Sequence, residues 1–282
     1  MSKDILFVCT GNTCRSPMAE VIAKKFFSKL EISSRGISVM APSGAAKNAI
    51  LTAQKYGADL DGHISSQITV DELNEYKLVL TMTLSHKAML LPYANGDNIM
   101  TLSEFAGESE DVHDPYGGSL ELYEKTAEQI YSYLAKGIAM RSEVSFAEEA
   151  DIDAVVRMEK EYFSDSWSEN SVKIQVENKK VMVIKFADEL IGYCIFMTAA
   201  DEGEILRIAI NHKIRKAGLG KKLLLASISE MEKSGANEIF LEVRASNDSA
   251  KALYETVGFS EIGIRKGYYD NNEDAILYKK ER

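Results

Sequence analysis

Cys9 and Arg15 stand six positions apart in Cys9-Thr10-Gly11-Asn12-Thr13-Cys14-Arg15-Ser16-Pro17, between an apolar strand-like run and a helical pattern. A cysteine thiolate is a strong nucleophile, and a positive surround favours that charged form. A guanidinium at Arg15 can bind two phosphate oxygens side by side. A short loop running into a helix turns backbone N–H groups toward an anion, so residues 10–16 form a candidate phosphate cradle. Ser16 is expected to cap the helix and Pro17 to fit its first turn. The Ser16 hydroxyl can also donate to the thiolate. Displacement at phosphorus then needs a proton for the leaving group. Asp114, in His113-Asp114-Pro115-Tyr116-Gly117, is a loop carboxylate suited to supply it.

A second anion site is written later in the chain. A strand-like run ending at Ile210 leads through Arg215-Lys216-Ala217-Gly218-Leu219-Gly220-Lys221-Lys222 into a helical pattern. Gly218 and Gly220 let the backbone come close to a pyrophosphate, whose charge a helix N-terminus favours.

The elements that must carry these loops follow from hydrophobic periodicity. Residues 1–140 alternate strands at 4–8, 37–41, 77–82 and 98–102 with helices at 18–30, 46–56, 85–91 and 120–135. That order predicts an α/β fold with a doubly wound, four-stranded parallel sheet and right-handed crossovers. Near residues 138–143 the pattern changes. A strand at 143–147 and a helix at 151–162 precede three consecutive strands at 180–186, 190–197 and 204–210, an antiparallel meander. A helix at 219–233, a strand at 238–243, a helix at 249–257 and two further strands complete the chain. Two domains are expected, 1–140 and 141–282.

Composition excludes several classes. With 282 residues, 45% apolar and only four prolines, the chain is neither disordered nor joined by a long Pro-rich linker. The net charge is −10. Residues 1–140 hold 12 basic and 17 acidic side chains and residues 141–282 hold 21 and 26, so neither half offers a basic face for direct nucleic-acid binding. No run approaches the ~20 apolar residues of a membrane span, and Met1-Ser2-Lys3-Asp4 opens no signal peptide. A cytoplasmic protein with no membrane partner is expected. Three cysteines make no disulfide scaffold. The histidines at 63, 86, 113 and 212 are scattered, Cys194 reads as a buried strand residue, and no metal is expected.

The Cys9–Ser16 loop and the Asp114-Pro115 motif together resemble the low-molecular-weight protein phosphatases, over roughly residues 3–138. The resemblance implies Cys9 as nucleophile, Arg15 as the phosphoryl-binding residue, and Asp114 as general acid and then base. It also implies that Cys14 can form a reversible disulfide with Cys9. Thr13, with Tyr116-Gly117-Gly118 after the motif, is similar to the protein arginine phosphatase branch. A tyrosine phosphatase is the alternative, since that branch often carries Phe where this chain has Tyr116. Thiol-dependent arsenate reductase, on the same fold, needs relay cysteines that residues 15–140 lack.

Residues 142–282 resemble the GNAT acyltransferases, in which a loop like 215–221 binds the pyrophosphate of acetyl-CoA. Leu241-Glu242-Val243-Arg244-Ala245-Ser246-Asn247, Ala252-Leu253-Tyr254-Glu255, Ser166-Trp167-Ser168 and the Tyr268-Tyr269 pair are similar to the ribosomal-protein-alanine N-acetyltransferases. The resemblance implies Glu242 as general base, Tyr254 as general acid, Asn247 as a CoA contact, and the backbone of Ile208, Ala209 and Ile210 as support for the acetyl and pantetheine parts. A GNAT mixed α/β sheet is implied for this half. The expected protein is bifunctional, with phosphorylated proteins and a ribosomal protein N-terminus as partners and acetyl-CoA as co-substrate. The alternatives are a GNAT acting on another amine, or one half serving as a degenerate binding module.

Overall fold

The computed structural model describes residues 3–214 and 216–282, so the expectations resting on Met1, Ser2 and Arg215 lie outside the described residues. The chain divides into two compact units, the first closing at Arg141 and the second running Ser142–Arg282.

In the first unit β1 (Lys3–Cys9), β2 (Ile32–Gly36), β3 (Tyr76–Thr81) and β4 (Ile99–Thr101) make one sheet in the order β2-β1-β3-β4. All three pairings are parallel. β1 is central, and Ile5–Cys9 are buried without alternation, as a parallel strand covered on both faces requires. Leu6, Val8, Tyr76, Val79 and Ile99 share one core cluster. The helices are α1 (Arg15–Phe26), α2 (Lys47–Lys55), α3 (Val70–Leu73), α4 (Leu84–Leu90), α5 (Leu102–Ala106) and α6 (Leu120–Arg141).

Three local expectations are corrected. The second strand is Ile32–Gly36, not 37–41, because residues 32–36 supply the register with Ile5–Cys9. Ile37 and Ser38 instead donate to the carbonyls of Cys9 and Thr10, both at 2.9 Å, and so brace the loop. The first helix starts at Arg15, with Cys14 in the N-cap position and no side-chain cap. Ser16 is therefore not the cap; its hydroxyl is committed to Cys9 and Asn12. The last helix runs on to Arg141, its buried stripe continuing through Tyr133, Leu134, Gly137 and Ile138 at helical spacing. Gly137 allows this: a Cβ there would lie 2.0 Å from the Phe105 ring.

The second unit holds β5 (Glu143–Phe146), α7 (Ile152–Tyr162), α8 (Glu169–Glu177), β6 (Val181–Phe186), β7 (Glu189–Ala199), β8 (Glu202–Ile210), α9 (Leu219–Lys233), β9 (Glu238–Arg244), α10 (Asp248–Thr256), β10 (Ser260–Arg265) and β11 (Ala275–Glu281). Its seven strands run in the order β10-β11-β9-β8-β7-β6-β5. β8 and β9 pair in parallel; the other neighbours are antiparallel. The meander closes tightly between β6 and β7, where Ala187 and Asp188 both take positive φ, the twist a two-residue hairpin needs. α8 and the short α3 and α5 fall where no helix was expected from periodicity. Each begins at a Ser or Thr whose hydroxyl accepts from a first-turn N–H, Ser168, Thr69 and Thr101.

The parallel pairing of β8 with β9 stops at Ile205↔Leu241. Beyond it the strands part, while β8 stays paired with β7 through Ile210, its register shifting by one residue at Leu206. That splay is the structural origin of the second site.

Candidate active sites

β1 delivers Cys9 at its C-terminal end, and the loop turns straight into α1. The turn needs a left-handed residue, and Asn12 takes it at φ 54°. Asn12 is fully buried and its amide is spoken for. Its Nδ2 donates to Ser16 Oγ at 2.9 Å and Ser34 Oγ at 2.8 Å, and its Oδ1 accepts from Ser66 N at 3.0 Å. Ser34 passes its own proton to Glu20 Oε2 at 2.6 Å. Ser16 Oγ already accepts from Asn12, and its hydroxyl proton has two acceptors in reach, the Cys9 Sγ at 3.0 Å and the more distant Arg35 carbonyl at 3.4 Å, so a Cys9 thiolate is the favoured one. The network thus aims one donor at the sulfur.

Arg15 is 6% exposed and its NH2 meets Asp114 Oδ2 at 2.7 Å; the carboxylate is 52% exposed. Asp114 Oδ1 also accepts from Tyr116 N at 3.2 Å. A cavity of about 400 Å³ is lined by Cys9, Thr10, Gly11, Thr13, Cys14, Arg15 and Asp114, with Met40 and Tyr116 among its other lining residues. Asn12 and Ser16 lie behind the loop as supports. Cys14 is buried, its Sγ 3.2 Å from Tyr123 OH, and burial pushes its thiol above the ordinary range.

Two histidines that no sequence pattern connects to the loop hold it from behind. His63 Nε2 bonds Asn12 O at 2.8 Å. His86, 6% exposed, bonds Thr10 Oγ1 through Nε2 at 2.8 Å and Thr83 Oγ1 through Nδ1 at 2.9 Å. Burial, aided by the Arg15 charge, pulls its pKa down to about 4, so the ring is neutral near pH 7. Their distance along the chain, 51 and 76 positions from their partners, left no signal to read.

In the second unit the splay between β8 and β9 opens a cavity of about 380 Å³ that brings together Ile208, Glu242, Asn247 and Tyr254. Ala209 and Ile210 continue β8 beside it. Gly218, at φ 84°, is the N-cap of α9, and Lys216 before it is also left-handed at φ 60°. Leu219 is buried in the first turn. Gly220 sits where a Cβ would come within 3.2 Å of Leu253. The loop therefore presents a tight, side-chain-poor helix start. Asn247 caps α10, its Oδ1 accepting from Ala250 N at 3.2 Å. Tyr254 is 5% exposed, packs edge-on against Phe259, and burial drives its phenol pKa up. Glu242 pairs with Arg265 NH1 at 2.9 Å, and its hydrogen bond to Tyr268 raises that phenol.

Arg207 is the residue that sequence reasoning missed here. Its guanidinium lies 4.9 Å from the Phe163 ring centroid and 5.9 Å from that of Trp167, and its NH2 meets Asp165 Oδ2 at 2.7 Å. Trp167, Tyr268 and Tyr269 line one cavity with it and with Glu242. Among the described residues no group of three or more His, Cys, Asp or Glu side chains is placed to hold a metal, and no helix is long and apolar enough to cross a membrane.

A strand–loop–helix thiol site followed by a splayed mixed sheet defines the class: an enzyme that joins a phosphatase domain to an acetyltransferase domain. Residues 4–144 match the low molecular weight phosphotyrosine protein phosphatase family model and residues 152–259 the acetyltransferase (GNAT) family model. The chain belongs to the first family through its N-terminal half and carries a GNAT domain in its C-terminal half, whose co-substrate is acetyl-CoA. The first half is similar to the low molecular weight protein-tyrosine-phosphatase PtpB of Staphylococcus epidermidis, 38% identical over 134 residues, 47% of this chain and 94% of that protein. Among solved structures the chain is similar to the ribosomal-protein-S18-alanine N-acetyltransferase from Escherichia coli (32% identity, 50% of this chain and 93% of that one, TM-score 0.46). It is also similar to the YwlE arginine phosphatase from Geobacillus stearothermophilus (33% identity, 48% and 89%, TM-score 0.44).

Proposed function

We propose that residues 1–140 hydrolyse phosphoryl groups on proteins, with phosphoarginine as substrate, and that residues 141–282 acetylate a protein N-terminal amine of the ribosomal-alanine type. The observation that carries the first reading is the Ser16 hydroxyl aimed at Cys9 Sγ beside the Arg15–Asp114 pair. Cys9 attacks phosphorus, forming an S–P bond as the bond to the leaving group breaks. The arriving phosphoryl oxygens take over the Arg15 guanidinium, which releases the solvent-exposed Asp114 carboxylate to take up a proton from water and pass it to the leaving group. Water then attacks the phosphocysteine, Asp114 takes its proton, and Cys9 leaves as thiolate with inorganic phosphate.

Thr13 supports phosphoarginine. It lines the cavity with Cys9 and Arg15. A threonine makes a smaller, more polar wall than a bulky aliphatic residue would, and one that disfavours a flat phenyl ring. Phosphotyrosine is the second reading, favoured by the 38% identity to a protein-tyrosine-phosphatase. The test compares kcat/KM on phosphoarginine and phosphotyrosine proteins, for wild type and Thr13→Ile. Wild-type preference for phosphoarginine that shifts toward aryl phosphate in the variant is expected; a wild-type preference for phosphotyrosine overturns the arginine assignment.

The second reading rests on Ile208, Glu242, Asn247 and Tyr254 sharing one cleft at the splay. Acetyl-CoA supplies an activated acetyl thioester. The backbone edge of residues 206–210 and the start of α9 are the groups suited to hold it. Glu242 takes a proton from the amine and Tyr254 gives one to the departing sulfur. An N-terminal ammonium, with pKa ~7.7–8.0 against ~10.4 for a lysine, leaves a single carboxylate little to do. Mass spectrometry of an Ala-starting peptide with an internal lysine tests this. Acetyl on the N-terminus is expected, and acetyl on the lysine overturns it.

A further inference from the structure

The wedge between β8 and β9 reaches Glu242 from the side of Asn247 and Tyr254. Two further cavities also reach Glu242, the first of them continuous with this wedge along Arg207, Arg244 and Tyr269. One is lined by Trp167, Arg207, Tyr268 and Tyr269, the other by Met197, Phe240 and Leu277. The residues these two cavities share are Glu204 and Glu242. Strand register explains the placement: Glu204 stands in a row with Met197 on β7 and Phe240 on β9, and Glu242 is opposite Leu277 on β11. Even-numbered side chains of β9 are half-buried while the odd ones are buried, so this face of the sheet is open.

The two carboxylates differ in their neighbours. Glu242 is held by Arg265 and Tyr268. The side chain of Glu204, half-buried beside it, takes part in no ion pair or hydrogen bond among the described residues. Burial and the Glu242 charge push its carboxyl above the usual range. The positive charge that offsets this is Arg265, which is already paired with Glu242, so Glu204 has no cation of its own and an incoming one would supply it.

We infer that Glu204 is the acceptor-binding carboxylate of the acetyltransferase domain: it holds the substrate's ammonium at the junction of the two further cavities and hands the amine to Glu242. The inference rests on the acetyl-transfer reading above and adds a specificity residue to it. The geometry assigns the sides of the reaction. The wedge suited to the thioester touches Glu242 but not Glu204, whereas both other cavities touch Glu204 as well as Glu242, so an amine in either one meets both carboxylates. Charge complementarity sets the occupant, a cationic amine rather than a neutral amide or a carboxylate.

The test uses the full chain with an Ala-starting peptide. Glu204→Gln should raise the peptide KM about 10-fold or more, the usual worth of a charge-assisted contact. It should leave the acetyl-CoA KM unchanged and kcat within about threefold. Glu204→Asp, which keeps the charge, should recover most of the peptide KM. Glu242→Gln should instead act on kcat. Binding separates Glu204 from turnover: with CoA present, wild type should bind the free-amine peptide about 10-fold tighter than its N-acetylated form, and Glu204→Gln should bind both alike. Failure of wild type to acetylate the peptide counts against the acetyl-transfer reading. Equal wild-type binding of the two peptides, or an unchanged peptide KM in Glu204→Gln, overturns the role of Glu204.

Discussion

Asn12 shows why a loop of ordinary polar residues becomes a reactive site. Its left-handed backbone makes the turn, its amide fills two serine hydroxyls, and the proton left on Ser16 points at the sulfur. His86 does comparable work from outside the loop by fixing Thr10. Its pKa, about 4, lies below the ordinary 6.5, so the unfolded chain takes up the proton first. The stability His86 lends is complete above pH 6.5 and is lost as pH falls from there to about 4, by about 3 kcal/mol at most. Histidine ring protons followed by NMR should show one ring that does not titrate until near pH 4; titration of all four above pH 6 contradicts the buried neutral ring. His86→Ala should weaken phosphatase turnover through the loop while acetyl transfer stays at the wild-type rate.

At the scale of elements, each site is made where a strand hands the chain to a helix and something keeps the end of the strand unpaired or braced. β1 ends at Cys9, and Ile37 and Ser38 tie the following loop to the continuation of β2. β8 ends at Ile210, and its divorce from β9 after Ile205 opens the cleft that α10 borders through Tyr254. α6 closes the first unit by passing Gly137 over Phe105, where a Cβ would lie 2.6 Å from the Phe105 carbonyl oxygen. Gly137→Ala improves helix propensity by about 1 kcal/mol, yet overpacking here costs about 1–3 kcal/mol or more. Because the obstacle is backbone as well as ring, net destabilisation is expected. Thermal inactivation of the phosphatase activity measures it, and an unchanged or raised inactivation temperature contradicts the close packing.

For the whole molecule, two units with separate sheets predict separable losses. Cys9→Ser should abolish phosphatase turnover, since an alcohol is a far weaker nucleophile than a thiolate at neutral pH, and should leave acetyl transfer intact. Glu242→Gln and Tyr254→Phe should each lower acetyl transfer about 10²–10⁴-fold with phosphatase activity unchanged. Assays of both activities on each purified variant check this; a folded variant that loses both in equal measure contradicts independent sites.

Local chemistry was legible from the residues alone. Cys9, Arg15 and the strand–loop–helix order around them are a contiguous signal, as is the glycine pair Gly218 and Gly220, because such loops are built within a dozen residues. The four-stranded parallel sheet followed from the alternation of apolar strands and amphipathic helices, which burial imposes on sequence directly. Register and long-range partners were not legible. Which five residues of 32–41 pair with β1 depends on a partner strand, and periodicity is blind to that. Ser16 reads as a cap until Asn12 and Cys9 are seen to claim its hydroxyl. His86, Arg207 and Glu204 act on residues tens of positions away or across a strand, and only the folded sheet brings them there. Sequence determines what a segment can do by itself; the tertiary structure decides which groups meet, because hydrogen bonds and charges act over a few ångströms of space and not along the chain.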